Sequence, residues 1–241
     1  MRIFTPAPTA RSPTAPTAAR ETRSRRVDRR FPPARSPTGS SRPAFHVKQD
    51  AETAARLAVY RDLLLRWNAR INLISGETAA EVDQRHIADC AQLQPILPEE
   101  GPIADIGSGA GLPGLVLAAM EPQREFHLVE SDKRKAAFLV EASAQLKLPR
   151  VRVHACRIEN AKLPLLSAVT ARALAPLTSL LPYAEQFLAP AGVAIFPKGR
   201  GAEKELTEAT LHWHFTLERF PSRTNAEATI LRLGHIQRVK S

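Results

Sequence analysis

At 241 residues, 44% of them hydrophobic, the chain is long enough for one large α/β domain with attachments and a sizeable core. Its net charge of +10 suggests an anionic partner, yet residues 1–46 hold ten arginines, no lysine and only Glu21 and Asp28 as acids, so the remainder is nearly neutral and any nucleic-acid binding there must come from a local patch. Two cysteines, Cys90 and Cys156, exclude a disulfide framework and a cysteine metal cluster, and no apolar run nears the ~20 residues that span a bilayer; a reduced, cytoplasmic protein with no metal and no membrane partner is expected.

Residues 1–46 are rich in Pro, Ser, Thr, Ala and Arg, with eight prolines and few large apolar groups, so they cannot bury enough surface to offset the entropy of ordering. A disordered tail is expected, or an artefact of start-site choice with Val47 as the initiator; an organelle transit peptide and a basic RNA-binding arm are the other readings. From Asp50, a candidate cap, the pattern turns helical: Leu57, Tyr60, Leu64, Trp67 and Ile71 recur at three- to four-residue steps. Arg56, Arg61, Arg66 and Arg70 fall largely off that stripe, on a solvated face. A second helix is predicted from about Thr78, bringing Arg85, His86 and Asp89 to one face, most simply as an Asp–Arg pair. Pro95 and Pro98 close this helical prefix.

The chain is organised around residues 102–114, a short apolar strand running into Gly107-Ser108-Gly109-Ala110-Gly111 and then a helix from Leu115 to Met120, with Pro113 marking its entry. Alternate glycines let the backbone take positive φ and let a ligand lie against the main chain. Asp105 stands at the carboxyl end of the strand, where it would repel a pyrophosphate and attract the sulfonium and ammonium of S-adenosylmethionine. A second strand from Phe126 ends in Glu130, placed to accept the ribose hydroxyls of an adenosine.

The run Lys133-Arg134-Lys135 opens a further helix, and a strand Val151 to His154 leads to Cys156-Arg157-Ile158-Glu159. Ile158 is a candidate cover for the adenine and Glu159 for its edge, although a plain connection is equally compatible with the residues. A strand Ala168 to Thr170 delivers Arg172 to the site, and Gly192 to Phe196 brings up Lys198 and Arg200, candidates for phosphate contact or for a solvated loop. Two last strands, Phe215 to Phe220 and Ala228 to Leu233, form a hairpin. This order resembles the Rossmann-like sheet of class I S-adenosylmethionine-dependent methyltransferases, mostly parallel and seven-stranded with an antiparallel last strand. The predicted division is a tail at 1–46, an N-terminal helical extension at 47–98 and the methyltransferase domain at 99–241.

Arg66-Trp67-Asn68 with Asn72-Leu73, Arg85-His86-Ile87 with Asp89, Asp105 to Gly114, Ala171-Arg172-Ala173 and Lys198-Gly199 together resemble the signatures of the glucose-inhibited division protein B family, bacterial small-subunit ribosomal RNA guanine-N7 methyltransferases. The resemblance begins near Val47. It implies a cytoplasmic enzyme that methylates N7 of one guanine in a decoding-region hairpin loop of 16S ribosomal RNA, acting on the RNA or on a partly assembled subunit. By the same similarity Gly107, Leu112, Ile158, Glu159 and Arg172 would contact S-adenosylmethionine, joining Asp105, Gly109 and Glu130; Arg85, His86, Lys198 and Arg200 are the RNA candidates. No acid–base residue is assigned, because guanine N7 offers a lone pair and carries no proton. The rival readings are a methyltransferase acting on a small molecule or protein, and a non-catalytic RNA-binding assembly factor.

Overall fold

The computed structural model describes residues 51–239, so the readings of residues 1–46, of Val47 and of the Asp50 cap lie outside the described residues. Helix α1, Ala51–Asn68, forms as its periodicity predicts and buries Leu57, Tyr60, Leu63 and Leu64. Asn68 then ends it: its Oδ1 accepts from the N–H of Leu73 at 2.8 Å and of Ile74 at 2.9 Å, folding the chain back. The single helix expected from Thr78 is broken into α2 (Gly76–Ala79), a π-helical turn (Asp83–Ala88) and α3 (Asp89–Ala91). A π turn is wider than an α turn and rephases the side chains after it. Arg85 pairs with Glu81 at 2.8 Å, and the expected pairing of Arg85 with Asp89 does not form.

The core is a seven-stranded sheet in the order β3-β2-β1-β4-β5-β7-β6. Its strands are β1 (Ile103–Ile106), β2 (Phe126–Val129), β3 (Val151–His154), β4 (Leu166–Thr170), β5 (Leu188–Lys198), β6 (Trp213–Pro221) and β7 (Thr229–Arg238). Strands β1 to β5 run parallel, and β7 lies antiparallel to both β5 and β6. The last strand is therefore reversed, as expected. Alternation along β1 sends Ile103 to one face and Ala104 and Ile106 to the other, so both faces are buried, as in parallel sheets generally. Helices α4 (Gly114–Met120) and α5 (Lys133–Gln145) cover the first face together with α1; α6 (Leu177–Phe187) and α7 (Ala202–Thr210) cover the second. The helical prefix is thus not a separate body: Leu57, Tyr60 and Leu64 share one core with Ile103, Leu115 and Phe126.

Successive connections run from β1 outward through β2 to β3, then return to β4 on the other side of β1. The crevice at the carboxyl ends of β1 and β4 is the switch point where open α/β sheets take ligands. No helix among the described residues is long and apolar enough to cross a membrane.

Candidate active site

The glycine turn after β1 is left-handed at three positions, with φ of +68° at Gly107, +55° at Gly109 and +79° at Gly111. At Gly107 space matters as well as φ, since a Cβ would lie 2.5 Å from Cδ1 of Leu174. The Gly109 N–H donates to Oε2 of Glu130 at 2.8 Å, and Oε1 of Glu130 accepts from Asp132 N–H at 2.7 Å. Each oxygen keeps lone pairs with which to accept a ribose hydroxyl.

Asp105 departs from expectation. The sequence places it against a cationic ligand, but the structure turns its carboxylate inward, fully buried, where Oδ2 accepts from Gly114 N–H at 3.1 Å and Oδ1 from the Thr170 hydroxyl at 3.0 Å. The cause is the pleat: Asp105 points toward α4, and the missing side chain of Gly114 makes room for it, since a Cβ there would sit 2.8 Å from the carboxylate. Burial pushes its carboxyl up to about 6, against the lowering effect of these hydrogen bonds. Asp105 therefore braces the glycine turn from behind.

Two cavities meet in front of that turn. The first, about 400 Å³, brings together Gly107, Gly109, Leu112, Glu130, Ile158, Glu159 and Arg172, with Leu73 from the folded-back segment; all but Asp105 of the residues assigned to the cofactor line it. Its volume falls in the range of small-molecule sites, ~300–1,000 Å³. An adenosine-bearing donor fits this set: backbone at the glycine turn, an acid beyond β2, and an apolar Ile158 beside Glu159. The Tyr183 hydroxyl donates to Oε1 of Glu159 at 2.5 Å and holds its carboxyl below the usual range.

The second cavity, about 640 Å³, is lined by Thr78, Arg85, His86, Asp89, Lys198 and the segment 222–230, among others, and shares Arg172, Ala173 and Leu174 with the first. Arg172 sits on the shared wall, donating to Nδ1 of His86 at 3.1 Å and to Oδ2 of Asp89 at 3.4 Å. His86 Nδ1 thus accepts, so its proton is on Nε2, which lies 2.9 Å from the Thr78 hydroxyl. Burial and the Arg172 charge lower the His86 pKa and keep the ring neutral. Ala173, next along the wall, is held at φ +52°. Opposite, the loop between β6 and β7 is clamped down: the Thr224 hydroxyl donates to Asp89 Oδ1 at 2.7 Å, and Arg223 N–H to Gln92 Oε1 at 2.8 Å.

The other RNA candidates are less free than expected. Lys198 does not end in a solvated loop, because β5 continues through it opposite Thr229; its ammonium pairs with Glu205 at 2.8 Å and donates to the Ala175 carbonyl at 2.8 Å. Arg200 is exposed and pairs with Glu227 at 3.1 Å.

Sequence reasoning missed Tyr60 as a site residue. Its hydroxyl, fully buried, donates to the carbonyl of Ala110 in the glycine turn at 2.7 Å, tying α1 to the donor cleft. Only its place on the apolar stripe was visible. Tyr60→Phe is expected to leave a buried carbonyl unpaired and cost about 1–3 kcal/mol. Denaturant unfolding measures that cost, and calorimetry should show weaker donor binding alongside it.

The reversed β7 beside β5 separates this sheet from the all-parallel one that binds dinucleotides, and with the paired clefts at the switch point it places the protein among the class I S-adenosylmethionine-dependent methyltransferases. A solved transferase from Pyrococcus horikoshii shares the fold, at 12% identity and a TM-score of 0.51 over 70% of this chain and 65% of that one. In sequence, residues 53–229 match the GidB family, described as rRNA small subunit methyltransferase G. Relatives of that name include one from Granulibacter bethesdensis, 53% identical over 78% of this chain and 88% of that protein, and one from Rhodospirillum centenum, 50% identical over 80% and 88%. The chain belongs to the rRNA small subunit methyltransferase G family.

Proposed function

We propose that the protein transfers the methyl group of S-adenosylmethionine to N7 of a guanine in a decoding-region hairpin loop of 16S ribosomal RNA, in the cytoplasm. The observation that carries this reading is the shared wall Arg172–Ala173–Leu174, which sets a donor cleft and a larger acceptor cleft side by side. S-adenosylmethionine, when bound, supplies a methyl group on a positively charged sulfur that leaves as a neutral thioether.

Guanine N7 holds an in-plane lone pair and no proton, so no base is needed. His86 Nδ1 and Asp89 are both engaged by Arg172 and serve to fix that side chain. What the residues supply is alignment: Gly107 and Gly109 present backbone to the donor, Glu130 the ribose acceptor, and Arg172 the rigid divider. Alignment of this kind contributes roughly 7–11 kcal/mol in favourable cases. In an RNA duplex N7 faces the deep, narrow major groove, which favours an unpaired loop or a partly assembled subunit as substrate.

The test is transfer of labelled methyl to ribosomal RNA from a strain lacking this gene. The expected outcome is 7-methylguanosine at one 16S position. Label confined to protein or small molecules, or no transfer with RNA binding retained, overturns the proposal.

A further inference from the structure

Beside the donor cleft, on the side away from the acceptor cleft's clamped loop, lies a polar notch of about 330 Å³ lined by Arg70, Ile71, Asn72, Asp132, Arg134 and Lys135. It forms because the end of α1 packs on α5, where Trp67 meets Phe138 edge-on at 5.7 Å between ring centres. That packing gathers cations from segments more than 60 residues apart.

The charges there are poorly compensated. The one carboxylate in the notch, Asp132, is spent on the start of α5: its Oδ1 accepts from the N–H groups of Arg134 at 2.8 Å and Lys135 at 3.3 Å, and Oδ2 lies 3.6 Å from the Arg134 guanidinium. Arg70 and Lys135 have no carboxylate partner among the described residues, and Lys133, the first residue of α5, is a further exposed cation. By contrast, the cations that the sequence singles out on the acceptor side are each paired: Arg85 with Glu81, Lys198 with Glu205, Arg200 with Glu227. Three cations around one acid give the notch a net positive field into which a polyanion releases counterions.

Lys135 lines both the notch and the donor cleft, so the two are contiguous. We propose that this notch is a docking site for the phosphate backbone of the substrate RNA, holding the strand on the donor side of the active site. The inference rests on the reading of the substrate as RNA. A strand that places its base in the acceptor cleft then crosses the shared wall and is gripped beyond it, through phosphates that position the strand without reading its sequence.

The experiment uses the full chain with Arg70→Gln and Arg134→Gln combined, leaving Lys135 intact because it borders the donor. Binding of a fluorescein-labelled 16S decoding-region hairpin is followed by anisotropy from 50 to 200 mM salt. With two phosphate-binding cations removed, the slope of log K against log salt falls by about 1.4, at ~0.7 per neutralised phosphate on single strands. The same salt rise therefore weakens the variant about sevenfold less than the wild type. KM for RNA rises while kcat at saturating RNA and donor affinity by calorimetry stay unchanged. The Arg70→Lys, Arg134→Lys variant keeps the wild-type slope. An unchanged slope in the glutamine variant, or donor affinity falling as much as RNA affinity, overturns the proposal. Because binding is read without methyl transfer, failure of the notch is separate from failure of the RNA methylation reading.

Discussion

Between pH 4 and pH 7, Asp105→Asn is expected to gain about 3 kcal/mol of stability relative to the wild type, roughly two units of raised carboxyl pKa at 1.36 kcal/mol each. The neutral carboxyl is favoured by burial, so its pKa rises from 3.8 unfolded to about 6 folded. Through that window the unfolded chain has released the proton that the folded chain still holds, and the stability contributed by the group is lost as pH rises. Above it the penalty is constant. Asparagine keeps the geometry, its oxygen accepting from Gly114 N–H and its amide donating to the Thr170 hydroxyl, whose own proton turns to the Ala104 carbonyl 3.4 Å away. Urea unfolding of both proteins at a series of pH values measures the difference. A difference that does not change with pH would mean that the carboxylate is not desolvated. Asp105→Ala, which leaves the buried Gly114 N–H without its acceptor, is expected to destabilise the protein at every pH.

Arg172→Ala is expected to lower kcat/KM for methyl transfer by more than 100-fold, about 2.7 kcal/mol of transition-state stabilisation. Among the described residues the guanidinium is the one side chain that lines both clefts while bridging His86 and Asp89, so its loss removes the divider and leaves the Asp89 carboxylate, whose side chain is only 18% exposed, without its cation. Arg172→Lys should recover little, because a single ammonium cannot hold both partners in the planar fork that guanidinium provides. Single-turnover methylation rates, with donor affinity by calorimetry, test this. Losses under tenfold in both would remove Arg172 from the site.

Much of the donor cleft was legible because it is local. Strand, glycine turn, helix, strand and acid follow one another within residues 102–130, and each element is marked by its own residues. Arg172 could be placed by the rule that ligands sit at carboxyl ends of strands, whereas Ile158 and Glu159 were assigned through the family resemblance, the residues alone leaving a plain connection open; the structure brings all three to one cleft. What the sequence hid depends on pairing at a distance or on phase. Arg172 finds Asp89 and His86 across 83 and 86 residues, which no pattern records. The π turn looked like ordinary helix, because its composition suits either, and so Arg85 was given Asp89 as its partner; it pairs with Glu81 instead, although Arg85, His86 and Asp89 do line one cavity. Asp105 lies on a strand covered on both sides, where alternation no longer tells solvent from core. Lys198 next to Gly199 reads as loop, although β5 runs on through it.

The grip of Gln92 on Ser222 and Arg223, spanning 130 and 131 residues, also imposes an order in time. A polypeptide made from its N-terminus has every part of the donor pocket once Leu174 is added, whereas the far wall of the acceptor pocket arrives some fifty residues later. Vectorial synthesis therefore supplies the lining of the small-molecule half first. The half that admits the macromolecule is finished only when the closing hairpin is in hand.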